Sequence, residues 1–300
     1  MATELVPSGP TGESAEVIVL FTRAELSSHL ETLRGSGRSV GLVPTMGALH
    51  AGHLSLVAAA ARECDVVALT IFVNPLQFGP GEDLGAYPRP IERDLRLAEN
   101  GGVDVVFTPT TEEMYPESMA TTVHVRGLTG SMEGASRPSH FDGVTTVVTK
   151  LFSLAGPCRA YFGEKDYQQL AVVTRLARDL DFPVTVVPCP IAREDDGLAL
   201  SSRNVHLDAE QRAAAVVLYR ALQTGAAMIA GGERDGATVA ARMAGVVADA
   251  PTARLDYAEV VHTEMLEPVG VVHGGQPVRL LVAAAFGSTR LLDNIGVVAP

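Results

Sequence analysis

Three hundred residues, 47% hydrophobic and 19% charged, are enough for one large or two modest domains with a packed core, and they exclude wholesale disorder. A net charge of −12, with 35 acidic residues against 23 Lys and Arg and no basic run, excludes a general affinity for nucleic-acid phosphates. Cys64, Cys158 and Cys189 are odd in number and lack a CxxC pair, so they form neither a disulfide framework nor a zinc site and suit a reducing cytoplasm.

Residues 1–15 read as a loose tail rich in Pro, Gly and Ser, without the basic end and apolar centre of a signal peptide. Apolar runs such as "VVALTIFV" have strand length and are too short to span a bilayer. The expectation is a soluble, cytoplasmic protein with no membrane partner.

Beyond the tail, strand-like and helical patterns alternate. "SVGLVPT" predicts a short buried strand and "LSLVAAAARE" a helix. "DVVALTIFV" is a strand again, "PIERDLRLAEN" a helix that starts at proline, and "VDVVFTP" a strand. Then come the helix "GVTTVVTKLFSLAG", the strand "RAYFGE", the helix "YQQLAVVTRLARDL" and the strand "FPVTVVPCP". Continuous β-branched runs mark strands buried on both faces, and intervening helices imply right-handed parallel crossovers. Residues 16–190 therefore read as a doubly wound, Rossmann-like α/β domain.

Near Pro190 the rhythm changes. A polar loop, "IAREDDGLALSSRN", leads to alanine-rich helices at about 208–231 and 235–250. Strand candidates "RLDYAEVVHTE", "PVRLLVAAAFG" and "TRLLDNIGVV" follow. Helices followed by strands predict a smaller α+β domain over 191–300.

Ligands of open α/β sheets bind beyond the carboxyl ends of strands. "GLVPTMGALHAGHLSLV" is such a strand, loop and helix, with His50 just before the helix and His53 at its start. Free backbone N–H groups and the helix dipole make that place a ready anion site. Gly47 and Gly52 let the backbone turn and approach a ligand closely. Position alone leaves the histidines three readings: phosphate contact, a structural hydrogen bond, or a metal that lacks its third and fourth ligands here.

Three further loops carry donors. "FVNPLQF" offers Asn74 and Gln77, "YFGEKDYQQL" offers Lys165, Asp166 and Gln169, and "GLALSSRN" offers Ser201, Ser202 and Arg203. Each alone has an ordinary reading: a turn before Pro75, a solvated lysine, an N-cap. With the histidine loop they make four loops that carry donors, which coincidence explains poorly. Glu194, Asp195 and Asp196 read as a solvated linker, not a metal cluster.

"VPTMGALHAGHLSLV", "IFVNPLQF", "EDLGAYPR", "MEGASRPSHFDGV", "FGEKDYQQL", "DGLALSSRN" and "TRLLDN" follow one another in an order that resembles the pantoate–β-alanine ligase family. That family belongs to the nucleotidylyltransferases with an HxGH signature, here His50-Ala51-Gly52-His53. The resemblance implies two steps. Pantoate carboxylate attacks the α-phosphorus of ATP, giving pantoyl adenylate and pyrophosphate. The β-alanine amine then attacks that anhydride, releasing pantothenate and AMP.

By the same resemblance, His53, His50, Lys165, Ser201, Ser202 and Arg203 are catalytic. ATP would meet Met46, Gly47, Gly52, Gly163, Asp166, Ala192 and Leu200 as well as those six. Gln77, Gln169, Asn74 and Met46 would hold pantoate. Mg²⁺ would arrive on ATP, with no protein ligand set assigned, because Arg93 stands beside Asp94 where some relatives are acidic. A homodimer is implied. The competing readings are another adenylyl- or cytidylyltransferase with the same histidines, and a non-catalytic nucleotide sensor. A tRNA synthetase conflicts with the charge.

Overall fold

Strands β1 (Ile18–Leu20), β2 (Val40–Thr45), β3 (Val66–Ile71), β4 (Val105–Phe107), β5 (Cys158–Gly163) and β6 (Val184–Cys189) pair in parallel, in the order β1-β4-β3-β2-β5-β6. This computed structural model describes residues 17–79 and 82–300, so the tail expected over 1–15 lies outside the described residues. The helices among them are α1 (Arg23–Gly35), α2 (Ala51–Glu63), α3 (Ile91–Asn100), α4 (Thr111–Met114), α5 (Glu133–Ser136), α6 (His140–Ala155) and α7 (Tyr167–Asp179).

Side chains alternate across a strand, so each strand serves two cores. Val40, Leu42, Val66 and Ala68 pack with Leu26 and Leu30 of α1 and with the apolar face of α6. Val43, Val67, Leu69 and Ile71 face the other way, onto Leu56, Val57 and Ala60 of α2 and Ala98 of α3. The doubly wound fold expected from the uninterrupted apolar runs is the one present.

The chain steps outward from β2 to β3 to β4, then returns to lay β5 on the other side of β2. That reversal is a topological switch point, and it opens a crevice at the carboxyl ends of β2 and β5.

The sequence pattern starts the regular structure at Ser39, and the structure adds a unit before it. β1 pairs with β4 at the sheet edge, and α1 follows it. The start of α1 is a capping box: Thr22 Oγ1 accepts from Glu25 N (3.2 Å) while the Glu25 carboxylate accepts from Thr22 N (2.9 Å).

The C-terminal part has helices α8 (Ala209–Ala215), α9 (Val217–Ala230) and α10 (Gly236–Ala248) before an antiparallel sheet of β7 (Ala253–His262), β8 (Pro277–Phe286) and β9 (Thr289–Val298). Leu280, Val282 and Ala284 face α9 and α10, whereas Leu281 turns to the core of the parallel-sheet domain. α8 and α9 run on as one 22-residue helical stretch, Ala209–Ala230, long and apolar enough by length and composition alone to cross a bilayer, although Glu210, Arg212 and Arg220 interrupt its apolar runs. Leu218, Ala221, Leu222 and Ile229 bury its inner face in the C-terminal core.

Candidate active site

β2 ends at Thr45, and His50 then becomes the N-cap of α2. His50 Nδ1 accepts from Gly52 N (3.1 Å), and His53 Nδ1 accepts from His50 N (3.3 Å). This is a capping box in which two imidazoles replace the usual hydroxyl and carboxylate. A backbone N–H can only donate, so both Nδ1 atoms carry lone pairs and each neutral ring keeps its proton on Nε2. The rings lie 4.1 Å apart between centroids.

Burial, then the neighbouring His50, pushes the His53 pKa down to about 3. Burial, then the Lys165 charge, lowers that of His50. Both rings are therefore neutral Nε2–H donors at physiological pH. Gly52 has no unusual backbone; a Cβ there would meet the His50 ring at 2.9 Å, so the glycine makes room for the cap. Gly47 is the residue that turns, at φ +81°.

The loop between them is held from outside. Asp94, 1% exposed on α3, accepts from Ala48 N (2.7 Å) and Leu49 N (2.8 Å). Ala48 sits at φ +50°, a conformation that a non-glycine residue adopts only under such constraint. In the sequence Asp94 figures only as a neighbour of magnesium. It is spent on backbone, and among the described residues no cluster of three His, Cys, Asp or Glu could hold a metal.

Across the crevice, the turn after β5 presents Lys165 and Asp166, which form an ion pair (3.2 Å). Desolvation in the cleft pushes the Asp166 carboxyl up, but Lys165 and then Arg203 outweigh it and hold it below its ordinary value. In "YQQ" the two glutamines divide the work. Gln168 is buried and donates to the carbonyls of Leu128 (2.8 Å) and Ser131 (2.9 Å), while Gln169 faces the cavity.

Beyond β3, Asn74 is 1% exposed and fully used. It donates to Gly143 O (3.0 Å) and Gln77 Oε1 (3.2 Å), and accepts from Tyr115 Oη (2.8 Å) and Leu76 N (3.3 Å). Gln77 Nε2 then points at Met46 Sδ (2.8 Å). Arg137 and His140 Nδ1 both donate to the Gln77 carbonyl, at 3.2 and 3.0 Å. Sequence reasoning singles out neither residue, although both stand in "MEGASRPSHFDGV".

The fourth wall comes from the segment after β6. Leu200 N donates to Ala192 O (2.9 Å), folding the segment back on itself. Ser201 Oγ caps the turn that follows by accepting from Arg203 N (3.3 Å), and Ser202 Oγ lies 3.5 Å from Tyr87 Oη. Glu194 and Asp196 pair with Arg212 of α8 (2.7 and 2.8 Å), while Asp195 and Asp196 remain exposed to solvent.

Met46, His50, Gly52, His53, Asn74, Gln77, Gly163, Lys165, Asp166, Gln169, Ala192, Leu200, Ser201, Ser202 and Arg203 all line one cavity. Of the sequence candidates, only Gly47 is outside its wall. A larger cavity, about 820 Å³, shares Gln77, Lys165, Gln169 and Arg203 and extends between the two domains to β9. Tyr87, Phe72 and the Val144–Val148 face of α6 supply apolar wall that the sequence did not reveal.

Comparison with known proteins bears on the family and the fold. Residues 18–296 match the family model described as Pantoate-beta-alanine ligase. A pantothenate synthetase of Acidobacterium capsulatum is 56% identical over 258 residues, 86% of each chain. One from Moorella thermoacetica is 51% identical, covering 92% of this chain and 97% of its own. The crystal structure of the Thermus thermophilus pantothenate synthetase superposes with a TM-score of 0.87 at 51% identity, over 93% of this chain and 99% of that one. A Francisella tularensis pantoate-beta-alanine ligase, crystallised with β-γ ATP and β-alanine, gives 0.76 at 31% identity over 93% and 97%. With its strand-end loops converging on one crevice and its match running almost from end to end, the chain belongs to the pantoate–β-alanine ligase family.

Proposed function

We propose that the chain condenses pantoate with β-alanine at the expense of ATP, through a pantoyl adenylate, releasing pyrophosphate and AMP. The observation that carries this reading is the meeting, across the switch point, of two neutral Nε2–H donors at a helix N-terminus with Lys165 on the facing turn. Adenylation must bring two anions together and stabilise charge on phosphoryl oxygens. Donors fixed by the backbone do this without reorganising in the transition state.

In this reading the triphosphate lies between the start of α2, Lys165, and Ser201, Ser202 and Arg203. The backbone that the Leu200–Ala192 hydrogen bond folds back would receive the adenine. Gln77, Gln169 and Met46 hold pantoate, whose hydroxyls need neutral partners. Asn74 stands behind them as a brace. Among the described residues lining the cavity that holds both histidines, Asp166 is the lone carboxylate. One carboxylate suits magnesium, which keeps water and phosphate oxygens as its remaining ligands. Mg²⁺ carried on ATP and steadied by Asp166 would neutralise phosphate charge.

The acidic surface is compatible with anionic substrates because Lys165 and Arg203 set a local positive field in the cleft. Our reading extends to a division of the chain near residue 190, to a cytoplasmic setting consistent with three free cysteines, and to a homodimer on the strength of the family alone. The test is AMP release from ATP, Mg²⁺ and pantoate, with and without β-alanine, beside His53→Ala. AMP formed only with both substrates, and lost by about a hundredfold in the variant, is expected. Pyrophosphate release that ignores β-alanine would leave an adenylyltransferase and remove the ligase.

A further inference from the structure

The motif "TRLLDN" lies on β9, in the C-terminal domain, yet its last residue reaches the turn that carries Lys165. Asn294 Nδ2 donates to Glu164 O (2.9 Å) and to Lys165 O (2.8 Å). The first carbonyl belongs to the peptide before the Lys165 Cα and the second to the peptide after it. Both planes that set the backbone of Lys165 are therefore held by one amide group from the other domain.

That amide is itself fixed. Asn294 is 1% exposed, and its Oδ1 accepts from Arg279 Nε (2.7 Å). Arg279 also pairs with the Glu164 carboxylate (3.0 Å) and lies over the Tyr167 ring (4.0 Å). The Asn294 N–H donates to Asp293 Oδ1 (2.7 Å), whose carboxylate Arg193 grips at 2.6 and 2.9 Å. Within its own domain the turn over Glu164–Asp166 has no side-chain cap. Its carbonyls would otherwise lack these partners.

Other contacts between the domains do not have this address. Tyr167 Oη donates to Thr263 O (3.0 Å), and Arg290 pairs with Glu133 (2.6 Å); neither touches the peptides flanking Lys165. We propose that Asn294, oriented by Arg279, is a positioning residue that sets Lys165 for adenylation, so that the lysine is aligned only when the C-terminal domain is docked. This rests on the ligase reading above.

The experiment is a double-mutant cycle between Asn294→Asp and Lys165→Ala. It is read as the rate constant of pantoate-dependent pyrophosphate release in single turnover, with the pantoate KM of each variant taken from steady-state turnover. Asn294→Asp keeps the shape and the Arg279 partner but removes both donors. We expect about a hundredfold loss of rate with the pantoate KM unchanged, because Gln77 and Gln169 are untouched. In the Lys165→Ala background the same change should cost almost nothing. Should the aspartate variant fail to fold, Asn294→Ala is read in the same cycle. Equal losses in both backgrounds, or a loss confined to KM, would overturn the proposal while leaving the ligase intact. A wild-type chain without pantoate-dependent pyrophosphate release would overturn the ligase reading and this proposal with it.

Discussion

His53 caps the residue that caps its own helix: its Nδ1 takes the N–H of His50, whose Nδ1 takes the N–H of Gly52 further inward. The consequence is electrical. Two histidines in a site that binds polyanions are usually expected to be imidazolium, yet here burial and the caps favour neutral rings.

The expected pH behaviour follows. kcat/KM for ATP, which reports the free enzyme, should stay level as pH falls past 6.5, the ordinary histidine value. Stability should behave differently. The folded-state pKa of His53 is depressed, so its contribution is whole above 6.5 and is lost as pH falls toward about 3. In His53→Gln the unfolding free energy should fall less steeply over that window. An activity step near 6.5 that disappears with His53→Gln would contradict the neutral assignment.

Asp94 should behave as a loop clamp and not as a magnesium ligand. Asp94→Ala leaves the N–H groups of Ala48 and Leu49 buried without acceptors, at a cost of about 3 kcal/mol in stability. The strained Ala48 should relax and His50 shift with it, raising KM for ATP. The dependence of rate on Mg²⁺ concentration should keep its midpoint. A displaced magnesium midpoint in kinetic titrations would return Asp94 to the metal.

Asn74 and Gln77 are hydrogen-bonded to one another but should fail in different ways. Gln77→Ala removes an amide that faces the cavity and should raise the pantoate KM with little change in Tm. Asn74→Ala strips partners from Tyr115, Gly143 and Gln77 at once, costing about 2 kcal/mol or more in stability in addition to activity. A Tm for Asn74→Ala equal to that of the unmutated protein would show that the brace contributes nothing to stability.

The legible parts of the molecule were those written in local pattern. Buried parallel strands announce themselves as unbroken apolar runs, and each strand end is followed by its donors within a few residues. That is why Lys165, Gln77 and Ser201 are legible in the sequence as strand-end donors. Asp94 could not, because its role depends on a helix docking against a loop more than forty residues earlier, and nothing near it in sequence says so. The same holds for Asn294, whose partners are in another domain. β1 is illegible for a different reason. It is a three-residue strand, and its best signal, the Thr22–Glu25 box, belongs to the next helix. The run Glu194–Asp196 is legible as a charge run, but its pairing with Arg212 is not, because charge patterns do not reveal their counter-ions.

The order of strands also governs when the crevice comes into being. Gly41 of β2 is paired with Arg159 of β5, and everything between them must close as a loop before that register can form. Hairpin-like neighbours such as β8 and β9 zip at short range, whereas this pairing bears a loop-closure entropy that nothing local offsets. The two walls that hold the reacting groups should therefore meet late on the folding path. Pulsed hydrogen exchange should protect the β8–β9 amides before those linking β2 to β5, and simultaneous protection would refute that order. A ribosome-bound chain released before β5 would hold both histidines and have nothing for them to face.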